Sequence, residues 1–297
     1  MKDISIQELK NTAVQMRMKV IDMIYKAQSG HPGGSLSAAD FVTACYFKYM
    51  NLDPRNPRWP DRDRMVLSKG HVCPIQYACL ASVGFFPESE LDTLRKEGSM
   101  LQGHPSMNKC PGIDISTGSL GQGLACAAGM ALAGKLDHKD YKVFCVVGDG
   151  ESQEGEIWEA ANTAHKYKLD NLIVFVDNNN LQLDGTCDEV MPNGDLGEKF
   201  RAFGWETLEI DGHSMEEIAC NVDRILVLRG SHVYMDGTPR QVFRRADDLE
   251  DVGLDVPQAT KIALALRRMG LEIDTAVYTV DELEQALLSV RGEAGVC

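Results

Sequence analysis

The spacing of hydrophobic residues predicts two helices at the start of the chain. Between residues 6 and 27, apolar side chains recur at steps of three and four, which places them on one face of a helix. The run 29–34 (Ser-Gly-His-Pro-Gly-Gly) ends this helix, because glycine and proline interrupt helical hydrogen bonding. A second helix is predicted to begin near Ser37 and to cover the apolar stretch up to Tyr49.

Farther along, alternating strands and helices predict a parallel β-sheet. Residues 65–67 form a short apolar strand, and the glycine-rich residues 118–123 lead into a helix. Apolar strands are predicted at 143–147 and 172–176, separated by a helix from about 155 to 167. Strands joined through a helix run parallel, so the predicted fold class is α/β, with a parallel sheet flanked by helices.

The composition narrows the classes of partner. The chain has 297 residues, 44% of them hydrophobic, and a formal net charge of −14, which argues against nucleic acid or an anionic membrane surface as the main partner. Such an acidic chain can still hold an anionic ligand in a local pocket. No signal-peptide core and no apolar run of transmembrane length occurs, so we expect a cytoplasmic protein without membrane insertion. The nine cysteines form no C-x-x-C pair, and we expect reduced thiols.

Candidate chemistry lies where two of the predicted strands end. Asp149, flanked by Gly148 and Gly150, follows the strand 143–147, and Asn179 follows the next strand. Open α/β sheets bind ligands at the carboxyl ends of parallel strands, so these two side chains should face one site. Carboxylate and amide oxygens suit Mg²⁺, which shares its shell with phosphate oxygens, and the N–H groups that open the next helix can take diphosphate charge. A plain pair of turns is the alternative for either motif alone.

These motifs resemble a known family. Gly148-Asp149-Gly150 through Asn179 resembles the fingerprint of thiamine diphosphate enzymes, and the surroundings are similar to transketolase in the version split into two chains. The resemblance implies the diphosphate-binding domain of an N-terminal subunit, with thiamine diphosphate and Mg²⁺ as cofactors. It covers roughly residues 5–218 and is carried by the stretches 29–34, 67–71 (Leu-Ser-Lys-Gly-His), 103–105 (Gly-His-Pro), 116–123 and 180–185.

The resemblance also implies individual contacts with the cofactors. Asp149, Asn179 and the backbone carbonyl of Leu181 would bind the metal ion, and Gly150 would lie against the diphosphate. The full set of implied cofactor-binding residues is His71, Gly118, Leu120, Gly148, Asp149, Gly150 and Asn179.

Three loop histidines and one glutamate are the implied catalytic residues. His31, His71 and His104 each follow a glycine, and imidazole moves protons near neutral pH. By resemblance, His31 and His104 contact substrate hydroxyls and the reacting oxygen, and His71 faces the cofactor; the alternative is that each only caps a loop. Glu154 is implied in a carboxylate network across a dimer interface, although the helix dipole also favours a carboxylate there. We expect Glu151 to be more exposed than Glu154.

The resemblance further implies that the chain is half of an enzyme. The glutamate that activates the cofactor would lie on a C-terminal transketolase subunit, in a dimer or heterotetramer. Together the two chains would transfer a two-carbon ketol unit between sugar phosphates, and this chain alone would be inactive. Two alternatives stay open: the α-subunit of a 2-oxo acid dehydrogenase, and a non-catalytic chimeric fragment.

The sequence changes character after residue 218. The family would continue with a helix, a strand and a Gly-Lys-Gly segment leading to another active-site histidine, and the chain departs from this pattern. Instead, residues 213–218, 223–228, 236–239 and 253–258 resemble the C-terminal end of an ABC-type ATPase from energy-coupling-factor transporters, without its phosphate loop. We therefore expect a thiamine diphosphate domain at 1–218 and a foreign tail at 219–297, which suggests a chimera; a docking role for the tail is the alternative.

Overall fold

The chain forms two compact units, Met1–Ile218 and Ala219–Cys297. The computed structural model describes residues 4–182, 185–220, 225–229, 232–237, 258–277 and 280–293. Within these ranges, no helix combines the length and the apolar character needed to cross a membrane. The boundary between the units falls where the sequence changes character, while the foreign origin of the second unit stays a prediction.

The first unit begins with helix α1 (Ile6–Ala27), which confirms the first predicted helix. Ser5 caps its start, because the Ser5 hydroxyl accepts a hydrogen bond from the Glu8 N–H and the Glu8 carboxylate accepts one from the Ser5 N–H. Gln28 ends the helix in a left-handed conformation, directly before the glycine-rich run. The buried face of α1 consists of Leu9, Ala13, Met16, Val20 and Met23.

The glycine-rich run not only ends α1 but also begins another helix. Helix α2 (Pro32–Ser37) starts at a proline, whose missing N–H is tolerated in a first helical turn. Gly34 lies against Val72, where a Cβ would come within 2.7 Å of the Val72 Cγ1. Helix α3 (Ala39–Ala44) follows and continues as a π-helical turn to Tyr49, which confirms the second predicted helix.

Three parallel strands form the sheet of the first unit. Strands β1 (Arg64–Leu67), β2 (Val143–Gly148) and β3 (Leu172–Asp177) lie side by side in that order. Gly148 pairs with Asp177, so the carboxyl ends of β2 and β3 are level with each other. The three predicted strands of this unit are confirmed, and so is their parallel arrangement.

Helices cover both faces of this sheet. On one face, α1 and α3 pack with α4 (Cys73–Val83), and on the other face lie α5 (Gln122–Leu136) and α6 (Gly155–Lys166). Neighbouring residues of β2 alternate between the two cores, since Phe144 belongs to the first and Cys145 to the second. Burial of a sheet on both faces is typical of parallel α/β folds.

A short helix that packs on α1 closes the first unit. The elements that lead to and include it are β4 (Leu181–Gln182), β5 (Gly185–Thr186), α7 (Cys187–Val190), α8 (Leu196–Ala202) and α9 (Met215–Cys220). Met215 and Ile218 of α9 are buried in the core that contains α1. Glu216 forms an ion pair with Lys10 of α1 at 2.5 Å, although both side chains are largely exposed.

The described part of the second unit contains a hairpin and two helices. Strands β6 (Ile225–Arg229) and β7 (His232–Gly237) pair antiparallel. Helices α10 (Gln258–Arg268) and α11 (Val280–Glu293) contribute to a small apolar cluster. This cluster contains Ala259, Ala263, Ile273, Val277 and Leu283.

The ATPase resemblance of the second unit stays a prediction. Of the stretches that carry it, residues 223–224, 238–239 and 253–257 lie outside the described residues. The remaining part of 223–228 lies in β6, which agrees with the strand-like character of that stretch.

Candidate cofactor and substrate site

Asp149 is held in a fixed orientation at the end of β2. Its carboxylate accepts hydrogen bonds from the backbone N–H groups of Gly150 (2.8 Å) and Asn180 (2.5 Å), and only 3% of the residue is exposed. Its backbone carbonyl accepts a bond from the Asn193 side-chain amide at 2.8 Å. Because Asn180 follows β3, the bond to its N–H joins the ends of two neighbouring strands. The structure therefore brings Asp149 and the segment containing Asn179 together.

Asn179 belongs to a hydrogen-bond network behind this turn. Its side-chain nitrogen donates to Ser37 Oγ (3.2 Å), and its side-chain oxygen accepts from the Leu181 N–H (2.9 Å). Ser37 donates in turn to Asp177 (2.8 Å), whose carboxylate forms a buried ion pair with Lys69 (2.6 Å). These contacts orient the Asn179 amide, as supporting residues do around metal ligands. The sequence predicts no role in the site for these three supporting residues, although Lys69 lies in one of the stretches that carry the resemblance.

The oxygens at this edge of the sheet fit a hard cation bound to an anionic group. Asp149 and Asn179 provide side-chain oxygens, and the backbone carbonyl of Leu181 follows directly. Among the described residues, no group of three or more histidine, cysteine or acidic side chains could hold a metal ion, so Mg²⁺ here would need phosphate and water oxygens to complete its shell. Within the described residues, the buried side-chain nitrogen of Gln182 has no hydrogen-bond partner. Gln182 lies beside Gly150, where a Cβ would come within 3.1 Å of the Gln182 Cβ.

The three predicted histidines come together from separate loops. His31 and His71 contact each other edge to face, with ring centroids 5.2 Å apart. His71 lies in a single 3₁₀ turn directly after β1, and His104 packs against Gly118, where a Cβ would come within 3.1 Å of the imidazole. His31 stands at the start of α2, yet its side chain makes no capping hydrogen bond there. For His31, a purely structural role as a helix cap is therefore not supported.

The surroundings favour the neutral form of two of these histidines. Burial, followed by repulsion from His31, Lys69 and His104, lowers the pKa of His71 to about 4. Burial also lowers the pKa of His104, with smaller contributions from the positive charge of Arg95 and from His31. Both imidazoles are neutral at pH 7, so each can donate a hydrogen bond from one nitrogen and accept one at the other.

Arg95 connects the loops that carry two of the histidines. Its guanidinium donates to Ser29 Oγ at 2.9 Å, two residues before His31. The same group lies against Gly103, where a Cβ would come within 2.9 Å of the Arg95 Cζ, directly before His104. The φ angle of Arg95 is 60°, an uncommon value for a residue other than glycine. Nothing in the sequence pattern marks Arg95, because its role depends on loops that meet only in the folded chain.

The prediction that Glu151 is more exposed than Glu154 is wrong. Glu151 is 3% exposed, whereas Glu154 is exposed at the start of α6. The Glu151 carboxylate accepts hydrogen bonds from the Ser68 hydroxyl, the Gly121 N–H (2.9 Å) and the Gly148 N–H (3.0 Å). The physical reason is a single 3₁₀ turn between β2 and α6, which directs Glu151 inward and cannot be read from hydrophobic spacing.

The loop 116–123 packs tightly against the segment that follows β1. Gly70 lies beside Thr117, where a Cβ would come within 2.8 Å of the threonine hydroxyl oxygen. Gly123, in the first turn of α5, lies so close to Ser68 that a Cβ would collide with the serine backbone. A cleft opens along this loop, lined in part by Thr117 and Gly123. The predicted cofactor-binding residues in the loop are Gly118 and Leu120, and Leu120 is 38% exposed.

Most of the chain matches known proteins. Residues 9–228 match the family model of the transketolase thiamine diphosphate binding domain. The 6-deoxy-6-sulfo-D-fructose transketolase subunit from Clostridium sp. is 48% identical over 217 residues, covering 73% of this chain and 79% of the relative. An apulose-4-phosphate transketolase subunit from Actinobacillus succinogenes is 38% identical over 269 residues, covering 90% of this chain and 98% of the relative.

A solved structure shows the same fold over most of the chain. The transketolase from Campylobacter jejuni superposes with a TM-score of 0.70 at 32% identity, covering 97% of this chain. This chain spans 48% of that solved chain, about half its length. From the family match and the two subunit relatives together, the chain belongs to the transketolase family and represents its thiamine diphosphate binding domain.

Proposed function

We propose that this chain binds thiamine diphosphate together with Mg²⁺ and transfers a two-carbon ketol unit between sugar phosphates, in complex with a separate C-terminal transketolase subunit. The observation that carries the proposal is the hydrogen bond from the Asn180 N–H to the Asp149 carboxylate at 2.5 Å, which joins the ends of two neighbouring strands next to the proposed ligand Asn179. The neutral histidines on the adjoining loops supply the second part of a ketol-transfer site.

The metal ion would be held by oxygen atoms of the first unit. Asp149, Asn179 and the Leu181 carbonyl are the proposed ligands, and Gly148 and Gly150 are proposed to lie against the diphosphate. The carboxylate of Asp149 is already fixed by two backbone N–H groups, so little reorientation is needed on binding. The diphosphate in turn would complete the metal shell that protein oxygens alone leave incomplete.

When bound, thiamine diphosphate supplies a carbon nucleophile and an electron sink, chemistry that no side chain provides. The residues of this chain position the reactants and move protons. His31 and His104 are proposed to bind substrate hydroxyls and the reacting oxygen, and His71 to face the cofactor. Gly118, which lines the cleft, and Leu120 are proposed to contact the cofactor. The lowered pKa of His104 keeps its imidazole neutral, so it can accept a proton and return it near pH 7.

A separate partner chain is part of the proposal. Two relatives of similar length are named as subunits, and this chain spans about half of the solved transketolase. We propose that the partner contributes the glutamate that activates the cofactor, in a dimer or heterotetramer. Glu154 is exposed at the start of α6, where a carboxylate of a partner could reach it.

The substrate class is proposed as phosphorylated or similarly anionic sugars. The names of the two subunit relatives specify a sulfonated fructose and a phosphorylated sugar, so each relative acts on a sugar with an anionic end. A 2-oxo acid dehydrogenase subunit, the rival expectation, finds no support because the family matches are transketolases. A non-catalytic fragment is the remaining alternative.

The test of the proposed function combines binding and turnover. Calorimetry with thiamine diphosphate, in the presence and absence of Mg²⁺, should show metal-dependent binding by the chain alone. Ketol transfer from a ketose phosphate should be negligible for the chain alone and measurable after addition of a C-terminal subunit from a split transketolase. Equal turnover with and without that subunit would contradict the requirement for a partner chain. Absence of metal-dependent binding would support the non-catalytic alternative.

A further inference from the structure

Glu151 is a buried carboxylate that three separate segments share. The Ser68 hydroxyl comes from the segment after β1, the Gly121 N–H from the loop before α5, and the Gly148 N–H from the end of β2. In the part of the chain that the structure describes, no cation bonds to it directly, since the nearby Lys69 pairs with Asp177 instead. The three charge-assisted hydrogen bonds are therefore what keeps this carboxylate stable in a buried position.

The donors of this cluster border the proposed cofactor contacts. Ser68 lies three residues before His71, and Gly121 directly follows Leu120 in the loop that lines the cleft. Gly148 directly precedes Asp149. A single side chain thus connects the metal-binding turn, the cleft loop and the histidine turn, none of which is adjacent to the others in sequence.

Burial of a carboxylate here costs free energy of desolvation, and the need to fill space does not explain why the residue is a glutamate. Removing a charged group from water is unfavourable, and an apolar side chain could fill the same space without that penalty. A carboxylate, in contrast, presents acceptors in several directions and no donor, which matches three converging donors. A carboxylate at position 151 therefore suits a residue that holds three segments together.

We infer that Glu151 is a positioning residue, whose carboxylate sets the relative placement of the Asp149 turn, the loop 118–121 and the His71 turn before the cofactor binds. The inference rests on the proposed function for the identity of the ligand. The geometry of the inference is independent of the proposed function, because the three hydrogen bonds join residues of this chain only.

Replacement of Glu151 by glutamine is the sharpest variant. Glu151→Gln keeps size and shape, but its NH₂ group must face at least one of the three donors, so at least one segment loses its bond. Glu159→Gln, on the exposed face of α6, is the matched control for the loss of one negative charge. Ile157→Val, in the buried face of the same helix, is the control for a small loss of stability.

Two measurements separate positioning from simple stabilisation. Hydrogen exchange without cofactor should show faster exchange in peptides containing Gly121 or Gly148 for Glu151→Gln, and unchanged exchange for Glu159→Gln. Calorimetry with thiamine diphosphate and Mg²⁺ should show affinity lower by about 10- to 100-fold for Glu151→Gln, the range typical of residues that support metal ligands. Ile157→Val should bind the cofactor like the unmodified chain, although urea unfolds it more easily.

The outcomes distinguish this inference from the proposed function. Failure of the unmodified chain to bind thiamine diphosphate would overturn the proposed function itself. Binding by the unmodified chain, with equal affinity in Glu151→Gln, would overturn only the positioning role. If Glu151→Gln does not fold, Ser68→Ala replaces it, because that change removes one donor and keeps the carboxylate. Affinity of Ser68→Ala equal to that of the unmodified chain would then overturn the inference, and a loss of about 10-fold would support it.

Discussion

The two units of this chain bury their apolar residues in different ways. The first unit covers both faces of a parallel sheet, and the single strand β2 contributes to both of its cores. The described part of the second unit buries a small cluster between two helices. A sheet covered on both faces still has an edge where its strands end, and polar residues can converge there without disturbing either core.

The two units also differ in their buried polar residues. In the first unit, Asp149, Glu151 and Asp177 are buried at the carboxyl ends of β2 and β3, each bonded to a neighbouring segment. In the described part of the second unit, the buried polar residues are Thr260 and Thr275, and Thr260 bonds to the carbonyl of Val277 at 2.6 Å. Asp40 and Asp63 are buried elsewhere in the first unit, but Lys69, Asp149, Glu151 and Asp177 group at one sheet edge, which supports the proposal that the site lies there.

The relatives also differ in how far along the chain they match. The Clostridium relative covers 73% of the chain, whereas the Actinobacillus relative covers 90% and so extends into the second unit. The second unit is therefore either a divergent ending of the family or the foreign tail that its motifs suggest. Experiments that alter one unit at a time can decide how much each contributes.

Exchange of the second unit has the largest expected effect. We expect replacement of residues 219–297 by the ending of a split transketolase subunit to raise turnover with a common partner by about 10²–10⁴-fold, the contribution of a positioned acid–base group. The reason is the further histidine that the family resemblance places in that ending. Steady-state rates of the two chains provide the measurement. Equal rates would show that the second unit is not a defect and would favour a divergent ending.

Loss of Asp149, a proposed metal ligand, has the next largest expected effect. We expect Asp149→Ala to weaken Mg²⁺-dependent binding of thiamine diphosphate by about 100-fold or more, because the metal joins the protein to the diphosphate. Calorimetry measures this affinity. Glu284→Ala, at an exposed position of the second unit, should leave it unchanged. If Asp149→Ala binds thiamine diphosphate with unchanged affinity, the metal site does not lie at the end of β2.

A smaller effect is expected at Arg95. In the complex with a partner, Arg95→Met should lower turnover by about 10-fold, because the Ser29 and Gly103 loops lose their connection and the histidines are less well placed. The pKa of His104 should rise, since the positive charge of Arg95 helps to lower it. Histidine NMR titration and kinetics measure the two effects. Arg55→Met, a change at an exposed arginine, should alter neither.

The smallest effect concerns stability against acid. Burial lowers the pKa of His71 to about 4 in the folded chain, so below pH 6.5 the unfolded chain takes up a proton that the folded chain does not. The free energy of unfolding should therefore fall as pH drops from 6.5 towards 4. In His71→Gln, the decrease between pH 7 and 5 should be smaller by about 1 kcal/mol, a value that allows for solvent screening of the partly exposed ring.

Urea unfolding at pH 7 and at pH 5 measures this difference. His138→Asn is the matched control, because His138 is exposed and asparagine tolerates its positive φ of 52°. If His71→Gln and the unmodified chain lose the same stability on acidification, His71 is not shielded from protons in the folded state.

The sequence predicted those parts of the molecule that depend on short stretches. Helix α1 and the three strands of the first unit follow from local hydrophobic spacing, which reports burial directly. The convergence of Asp149 with the segment that contains Asn179 follows from one further rule, that parallel strands end at the same edge. Both inferences need only residues that are close in sequence or joined by one helix.

Interactions between distant loops could not be predicted in this way. Arg95 bonds to Ser29 because two loops meet in the folded chain, and no periodic pattern records that meeting. Glu151 was assigned to the wrong environment because a single 3₁₀ turn, rather than a regular helix, sets its direction. Residues that support a site, unlike those that form strands, are selected by three-dimensional proximity.

The pairing of β1 with β2 has a consequence for how the chain acquires its structure. Residues 68–142 lie between these two strands, so the chain must close a very long loop before the parallel pair can form. His71, Gly118 and the Glu151 cluster assemble only after this closure. Folding of the first unit should therefore be slow, and partly folded chains cannot bind the cofactor. By mass action, thiamine diphosphate would then draw the population towards the completed fold, so vitamin supply would influence how much of this protein persists in a cell.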